Sequence, residues 1–229
     1  MKGADSLDWA FMQKVIPMYA AAVTLTLRLV IIGIVLATIT GLAVSVIRYK
    51  KVFLLSQLSA AYVQLFRNTP LLVQLFFLYF GLPKLGIHIS SEACAIIGLT
   101  LLGGSYMAEA FRAGLSSISP SQIESAQALG FSPIQIMRYI VIPQALAVSI
   151  PPLCANVIFL IKETSVFSVV ALADLIYVAK DLIGLYYKTD EALLLLVAAY
   201  LIILLPISLM AAVLERRIRY AGFGDSCTF

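Results

Sequence analysis

The sequence predicts an all-α integral membrane protein, with five transmembrane helices and a two-helix loop between the third and the fourth. Three observations predict it. Hydrophobic residues make up 62% of the 229-residue chain and charged residues only 12%, and a soluble domain of this size has too much surface to hide that apolar excess in one core. The apolar residues come in runs long enough to cross a hydrocarbon layer, which takes about 20 residues. Basic residues gather at the ends of alternate runs, the asymmetry that sets helix orientation.

The first span runs from about Met18 to Ile47 and carries no charge from Leu29 onward. Before it, Lys2, Asp5, Asp8 and Lys14 make a charge-balanced start, unlike the basic start of a signal peptide, so this run is expected to stay as an anchor. The second covers about Phe53 to Leu82 and is interrupted by Arg67-Asn68-Thr69-Pro70. The third covers about Glu92 to Ala113, the fourth about Gln144 to Ile161, which Pro151-Pro152 are expected to interrupt, and the fifth about Ala192 to Leu214. An odd number of spans puts the termini on opposite sides. A cytoplasmic C-terminus places Arg48, Lys50, Lys51, Arg112, Arg138, Arg216, Arg217 and Arg219 on inner loops, close to helix ends. Lys2, Lys14, Lys84, Lys180 and Lys188 then lie outside, mixed with Asp5, Asp8, Asp174, Asp181, Asp190 and Glu191. Because basic residues favour the inner face, the N-terminus is expected outside and the C-terminus in the cytoplasm. No internal repeat or low-complexity linker divides the chain, so residues 1–229 are read as a single transmembrane domain.

The longest inner connection, about Leu115 to Pro143, carries two helix starts. Ser119 reads as an N-cap, with Pro120 at the first helical position and Gln122 placed to complete a capping box. That helix, Ser121 to Leu129, ends at Gly130, a residue suited to the left-handed position after a helix. The same signal recurs at Ser132, Pro133 and Gln135, and Pro143 is expected to stop the second helix. The stretch is neutral to acidic, with Gln122, Glu124, Ser125 and Gln127, whereas a helix lying on lipid headgroups favours Lys and Arg. A defined, nearly uncharged knob suits docking into a protein groove.

At these residues the chain resembles a known family. Glu124-Ser125-Ala126, three residues, Gly130, nine residues and Ile140-Val141-Ile142-Pro143 are similar to the signature loop of bacterial ABC-importer permeases: Glu-Ala-Ala, three residues, Gly, nine residues, Ile, one residue, Leu-Pro. Ser125 stands in for an alanine and Ile142 for a leucine, both small changes in volume. Thr24-Leu25-Thr26-Leu27, the stretch Phe66 to Gln74, the stretch Ala108 to Gly114, and Lys162-Glu163-Thr164-Ser165 narrow the resemblance to the polar amino-acid branch, with Asn68 where glycine is commoner. The resemblance implies a type I importer permease fold and docking of an ATPase subunit at Glu124, Ser125, Ala126, Gly130 and Pro143. It implies a pocket lined by the stretches holding Arg67, Asn68, Thr69, Pro70, Leu71, Gln74, Glu163 and Thr164.

Two charges stand where lipid is expected. Arg67 lies about 16 residues beyond Lys51, roughly 24 Å up a straight helix and near the bilayer middle. A charge at that depth marks a pathway or an internal partner. Pro70 is expected to break the helix beside it, with Thr69 capping a second half-helix that turns its amides toward the membrane interior. An amino acid needs a cation or oriented amides for its carboxylate and an acid for its ammonium, roles that Arg67 with the half-helix and Glu163 match. The bland alternatives are an Arg67 that only locks the bundle and a Glu163 that pairs locally with Lys162. Arg28, in the outer part of the first span, is read as snorkelling to the interface.

Cys94, Cys154 and Cys227 are too scattered for a disulfide framework or a zinc site, and His88 is the sole histidine. No metal or cofactor is expected. The chain lacks a G-x-x-x-x-G-K-[ST] loop, an H-E-x-x-H pair and a G-x-S-x-G elbow, so neither nucleotide binding by the first nor catalysis by the others is expected of it. Energy for transport is then expected from a separate ATPase. Five spans enclose little space, which implies a second permease copy, identical or homologous. The family also implies an extracytoplasmic solute-binding protein, an amino-acid substrate and the bacterial inner membrane; nucleic acid is not expected as a partner. The rival reading is a self-sufficient secondary transporter or channel, which predicts repeated halves and more buried titratable groups. A membrane enzyme ranks third, for want of a nucleophile–base set.

Overall fold

With no water in a bilayer core, backbone amides must be satisfied within their own segment, and helices do that. The computed structural model describes residues 7–222, with side chains through residue 218, and contains no strand among them. Its helices are α1 (Trp9–Tyr49), α2 (Phe53–Arg67), α3 (Leu71–Phe76), α4 (Ser91–Ser116), α5 (Pro120–Ala128), α6 (Pro133–Ile136), α7 (Ile142–Glu163), α8 (Leu175–Tyr186) and α9 (Thr189–Gly222). α3 runs on through a π turn, Phe77–Gly81, and a 3₁₀ turn, Leu82–Leu85. Four helical stretches are long and apolar enough to cross a membrane, and the bent pair α2 and α3 makes a fifth.

Several boundaries differ from those expected. α1 begins at Trp9 and carries Pro17 inside it, so the apolar run extends into a longer helix than hydropathy alone marks. α7 runs unbroken through Pro151 and Pro152. Pro143 does not stop the second loop helix. Between α6 and α7 the backbone widens into a π turn at Met137–Val141, and the Ile142 amide reaches back to the Met137 carbonyl. Five-residue bonding carries the helix past the point where the Pro143 ring would meet the Tyr139 carbonyl. α8 was not expected at all. Asp174 caps it by accepting from the Tyr177 amide at 2.8 Å, and Leu175, Val178, Ala179 and Leu182 form its buried stripe.

The chain divides into two compact units. One holds Met1–Gly33, Pro70–Leu99 and Leu160–Pro206; the other holds Ile34–Thr69, Thr100–Phe159 and Ile207–Phe229. Each of the five spans passes once from one unit to the other. In the first unit, α3 packs on the 3₁₀ run Thr164–Val170, and α8 packs on the same run. A Cβ at Gly98 would come within 2.9 Å of Leu75 and 3.1 Å of Leu71, so the missing side chain sets how closely α3 and α4 approach. The hydroxyl of Tyr19 donates to the Ala192 carbonyl at 2.7 Å, and Lys188 pairs with Asp8 at 3.2 Å. In the second unit, a Cβ at Gly114 would sit 2.3 Å from the Ala145 carbonyl oxygen. There α4 and α7 touch backbone to backbone.

Candidate substrate and coupling sites

α2 ends where the sequence predicts a break. The Pro70 ring cannot follow the Phe66 carbonyl, and the chain bends by 102° between Phe53–Arg67 and Leu71–Leu85. The two polar side chains before the proline cover carbonyls of the last α2 turn, which the break leaves open. Asn68 Nδ2 donates to the Gln64 carbonyl at 2.7 Å, and Thr69 Oγ1 donates to the Leu65 carbonyl at 2.8 Å. Thr69 therefore helps close α2. The residue before α3 is Pro70 itself, at φ −57° and ψ 145°, and the Val73 and Gln74 amides reach its carbonyl.

Arg67 closes α2 within a charge cluster of the second unit. Its guanidinium lies 5.1 Å from the ring centre of Tyr106 and 4.0 Å from Glu109 Oε2. Arg112 takes that same oxygen through Nε at 3.1 Å and Nη2 at 2.6 Å, and Arg48 donates to Oε1. Three guanidiniums thus surround one carboxylate and leave two positive charges in excess. The ring of Tyr106 meets that of Phe159 at 5.0 Å between centroids. A straight-helix estimate puts Arg67 at mid-membrane, but its guanidinium shares a carboxylate with Arg48, from the last turn of α1. Sequence reading missed Glu109 and Tyr106 as partners. The available signal was an acid inside an apolar span, the same anomaly that marks Arg67.

The other site residues belong to the first unit. Leu71 and Gln74 are buried in its core, Leu71 beside Gly98. Thr164 is fully buried, and its hydroxyl donates to the Ile161 carbonyl at 2.7 Å. Glu163 ends α7 half-buried. Among the described residues it makes no ion pair, and the local pair with Lys162 is not formed.

The predicted loop is a two-helix knob. The Ser132–Gln135 capping box forms with both of its hydrogen bonds. At the first start, Ser119 Oγ lies 2.7 Å from Ser121 Oγ instead, so Gln122 completes no box. Gly130 turns the corner at φ +84°, in the left-handed region that glycine occupies at least cost. Ala126 is buried with Ile118, Ile136, Val141 and Ala145, seating the knob on α7. Outward it presents Glu124 and Ser125, exposed, together with Leu129 at 78% and Ile134 at 79% exposure. Apolar side chains this bare are of the kind that a partner or lipid covers.

Residues 30–220 match the model of the family described as the binding-protein-dependent transport system inner membrane component. The chain belongs to that family. It is 42% identical over 159 residues to the probable glutamine ABC transporter permease protein GlnP of Bacillus subtilis (strain 168), over 69% of this chain and 73% of that one. It is 34% identical to the probable amino-acid permease protein YxeN of the same organism, over 93% of this chain and 96% of the relative. Among solved structures, the crystal structure of an amino acid ABC transporter with histidines is similar at a TM-score of 0.85 and 30% identity, over 93% of this chain and 99% of that one. An inward-facing form of the MetNI methionine ABC transporter shares the fold at a TM-score of 0.70 and 22% identity. The fold is that of a type I ABC importer permease, and the protein is a multi-pass inner-membrane transporter subunit. Membership in a binding-protein-dependent family implies, in general, a solute-binding protein and an ATPase as partners.

Proposed function

We propose that the chain is the membrane-spanning permease subunit of an ATP-driven importer for a polar amino acid, acting as one permease domain. It forms half of the translocation path, a second copy or homologue forms the other half, and a separate ATPase hydrolyses ATP. The observation that carries the substrate class is Arg67, which sits beside a helix break in a cluster with two surplus positive charges. Like charge gathered in surplus around one carboxylate favours a further anion beside it. A carboxylate offsets that surplus through paired, charge-assisted hydrogen bonds to the guanidinium fork. The names of the relatives, glutamine and amino-acid permeases, support the same class. Glu163, a half-buried acid of the first unit with no ion pair among the described residues, is proposed separately as a group that contacts substrate.

The knob is proposed as the ATPase dock. Glu124, Ser125 and the corner at Gly130 face the partner, Ala126 holds the knob to α7, and Pro143, exposed in the first turn of α7, borders the same face. An outside N-terminus and a cytoplasmic C-terminus put this loop on the ATP side, opposite the solute-binding protein. A partner permease is supported by α9, whose most apolar window is only 11% buried within the chain.

Arg67→Lys and Arg67→Gln test the reading, with unfolding temperature and substrate-dependent ATPase activity measured on the same purified permease–ATPase complex. Both variants are expected to keep the wild-type unfolding temperature and to need about tenfold more amino acid, because neither an ammonium nor a neutral amide reproduces the charged fork. Early unfolding with unchanged amino-acid dependence would make Arg67 a bundle lock and remove the substrate role.

A further inference from the structure

We propose that Glu109 is a positioning residue: Arg48 and Arg112 saturate its carboxylate, and this saturation leaves the Arg67 guanidinium open to a ligand carboxylate. The inference rests on the reading that Arg67 receives the substrate. Its ground is the unequal sharing of one carboxylate. Arg48 holds Oε1, and Arg112 places two nitrogens on Oε2 at 3.1 and 2.6 Å. Arg67 is left at 4.0 Å, beyond hydrogen-bonding distance. Its other support is the Tyr106 ring, 5.1 Å from the guanidinium carbon to the ring centre; a ring contact of this kind engages the face of a guanidinium and not its N–H edge.

Glu109 and Arg48 have side chains 20% and 21% exposed, while that of Arg67 is 40% exposed. Arg112 is as exposed as Arg67, at 42%, so what sets Arg67 apart is bonding: Arg112 places two nitrogens on Glu109, whereas Arg67 approaches no closer than 4.0 Å. A carboxylate deprived of one clamp, in the same low-dielectric setting, would take the third arginine. Glu109 would then compete with the substrate for Arg67. Arg48 and Arg112 thus keep an internal carboxylate from occupying the site meant for an external one.

This arrangement predicts rescue by a second loss. Arg112→Gln frees one side of Glu109, and Arg112→Gln combined with Glu109→Gln removes the competitor. Equilibrium binding of radiolabelled L-glutamine, L-histidine and L-arginine is measured on the purified permease–ATPase complex, and the tightest of the three is followed. Arg112→Gln should weaken it by about tenfold, the scale of one charge-assisted contact. The double variant should return to within about twofold of wild type. Arg48→Gln, alone and with Glu109→Gln, repeats the test from the other oxygen should either variant of Arg112 fail to fold. Wild-type affinity in both single clamp variants, or a double variant as weak as its parent, overturns the positioning role. Arg67→Gln at wild-type affinity instead overturns the substrate reading beneath it, so the two failures are told apart.

Discussion

Asp174 stands just before α8, 1% exposed. One oxygen caps the helix through the Tyr177 amide, and Oδ2 has no hydrogen bond of good geometry. Burial pushes its carboxyl from the ordinary 3.8 up to about 6, against the opposing pull of the cap and of Lys180. Between those values the folded chain keeps a proton that the unfolded chain has lost. Stability is then highest below about pH 4, falls as pH rises to about 6, and is level above it. Asp174→Asn keeps an oxygen for the cap and removes the titration. Its unfolding temperature in detergent should lose that pH slope, and at pH 7 the variant should be more stable than wild type by on the order of 1–2 kcal/mol. An unchanged slope would assign the titration elsewhere. Other single residues announced themselves more plainly. Arg67 and Pro70 were legible as a charge and a break because both violate what a lipid-facing helix permits. Their surroundings were not: that Glu109 and Tyr106 meet Arg67 is decided by how α2 packs on α4, and local sequence does not encode it.

At the scale of elements, the knob was legible because its signals are local. Ser132 and Gln135 form the box that their spacing demands, and Gly130 takes the left-handed corner. Ser119 does stand at the N-cap position ahead of Pro120, but its hydroxyl meets that of Ser121 in place of a helix amide. Proline misled three times, at Pro143, Pro151 and Pro152, since each removes an amide but a long, packed helix tolerates the loss. α8 was missed because it lies among charged loop residues and is too short to read as a span. The Gly130 corner also makes a prediction that packing does not confuse. A Cβ there would touch nothing within 4 Å, so substitution acts through backbone strain alone. Gly130→Val should cost about 1–2 kcal/mol at the corner, re-aim α5 against α6, and cut ATP-driven transport at least about tenfold, while the protein still inserts and accumulates. Gly130→Asn tolerates the left-handed region and should transport nearly normally. Wild-type transport by Gly130→Val would show that the corner does not aim the knob.

At the scale of the whole molecule, composition and hydropathy were enough for the class, because nothing but a bilayer solvates a chain this apolar. The five spans were legible for the same reason, and their order follows from run length. What stays outside any single chain is the partner set. The faces left bare by α9 and by the knob need other molecules to explain them. The most direct measurement reconstitutes the permease with an ABC ATPase and a solute-binding protein in proteoliposomes, and follows uptake across a panel of radiolabelled amino acids. Uptake of at least one polar amino acid, requiring all three components, is the expected result. ATP must be supplied on the face where an impermeant thiol reagent reaches Arg217→Cys in a chain whose native cysteines are replaced by serine, and the solute-binding protein on the opposite face. Uptake by the permease alone, driven by an ion gradient and indifferent to ATP, would contradict it.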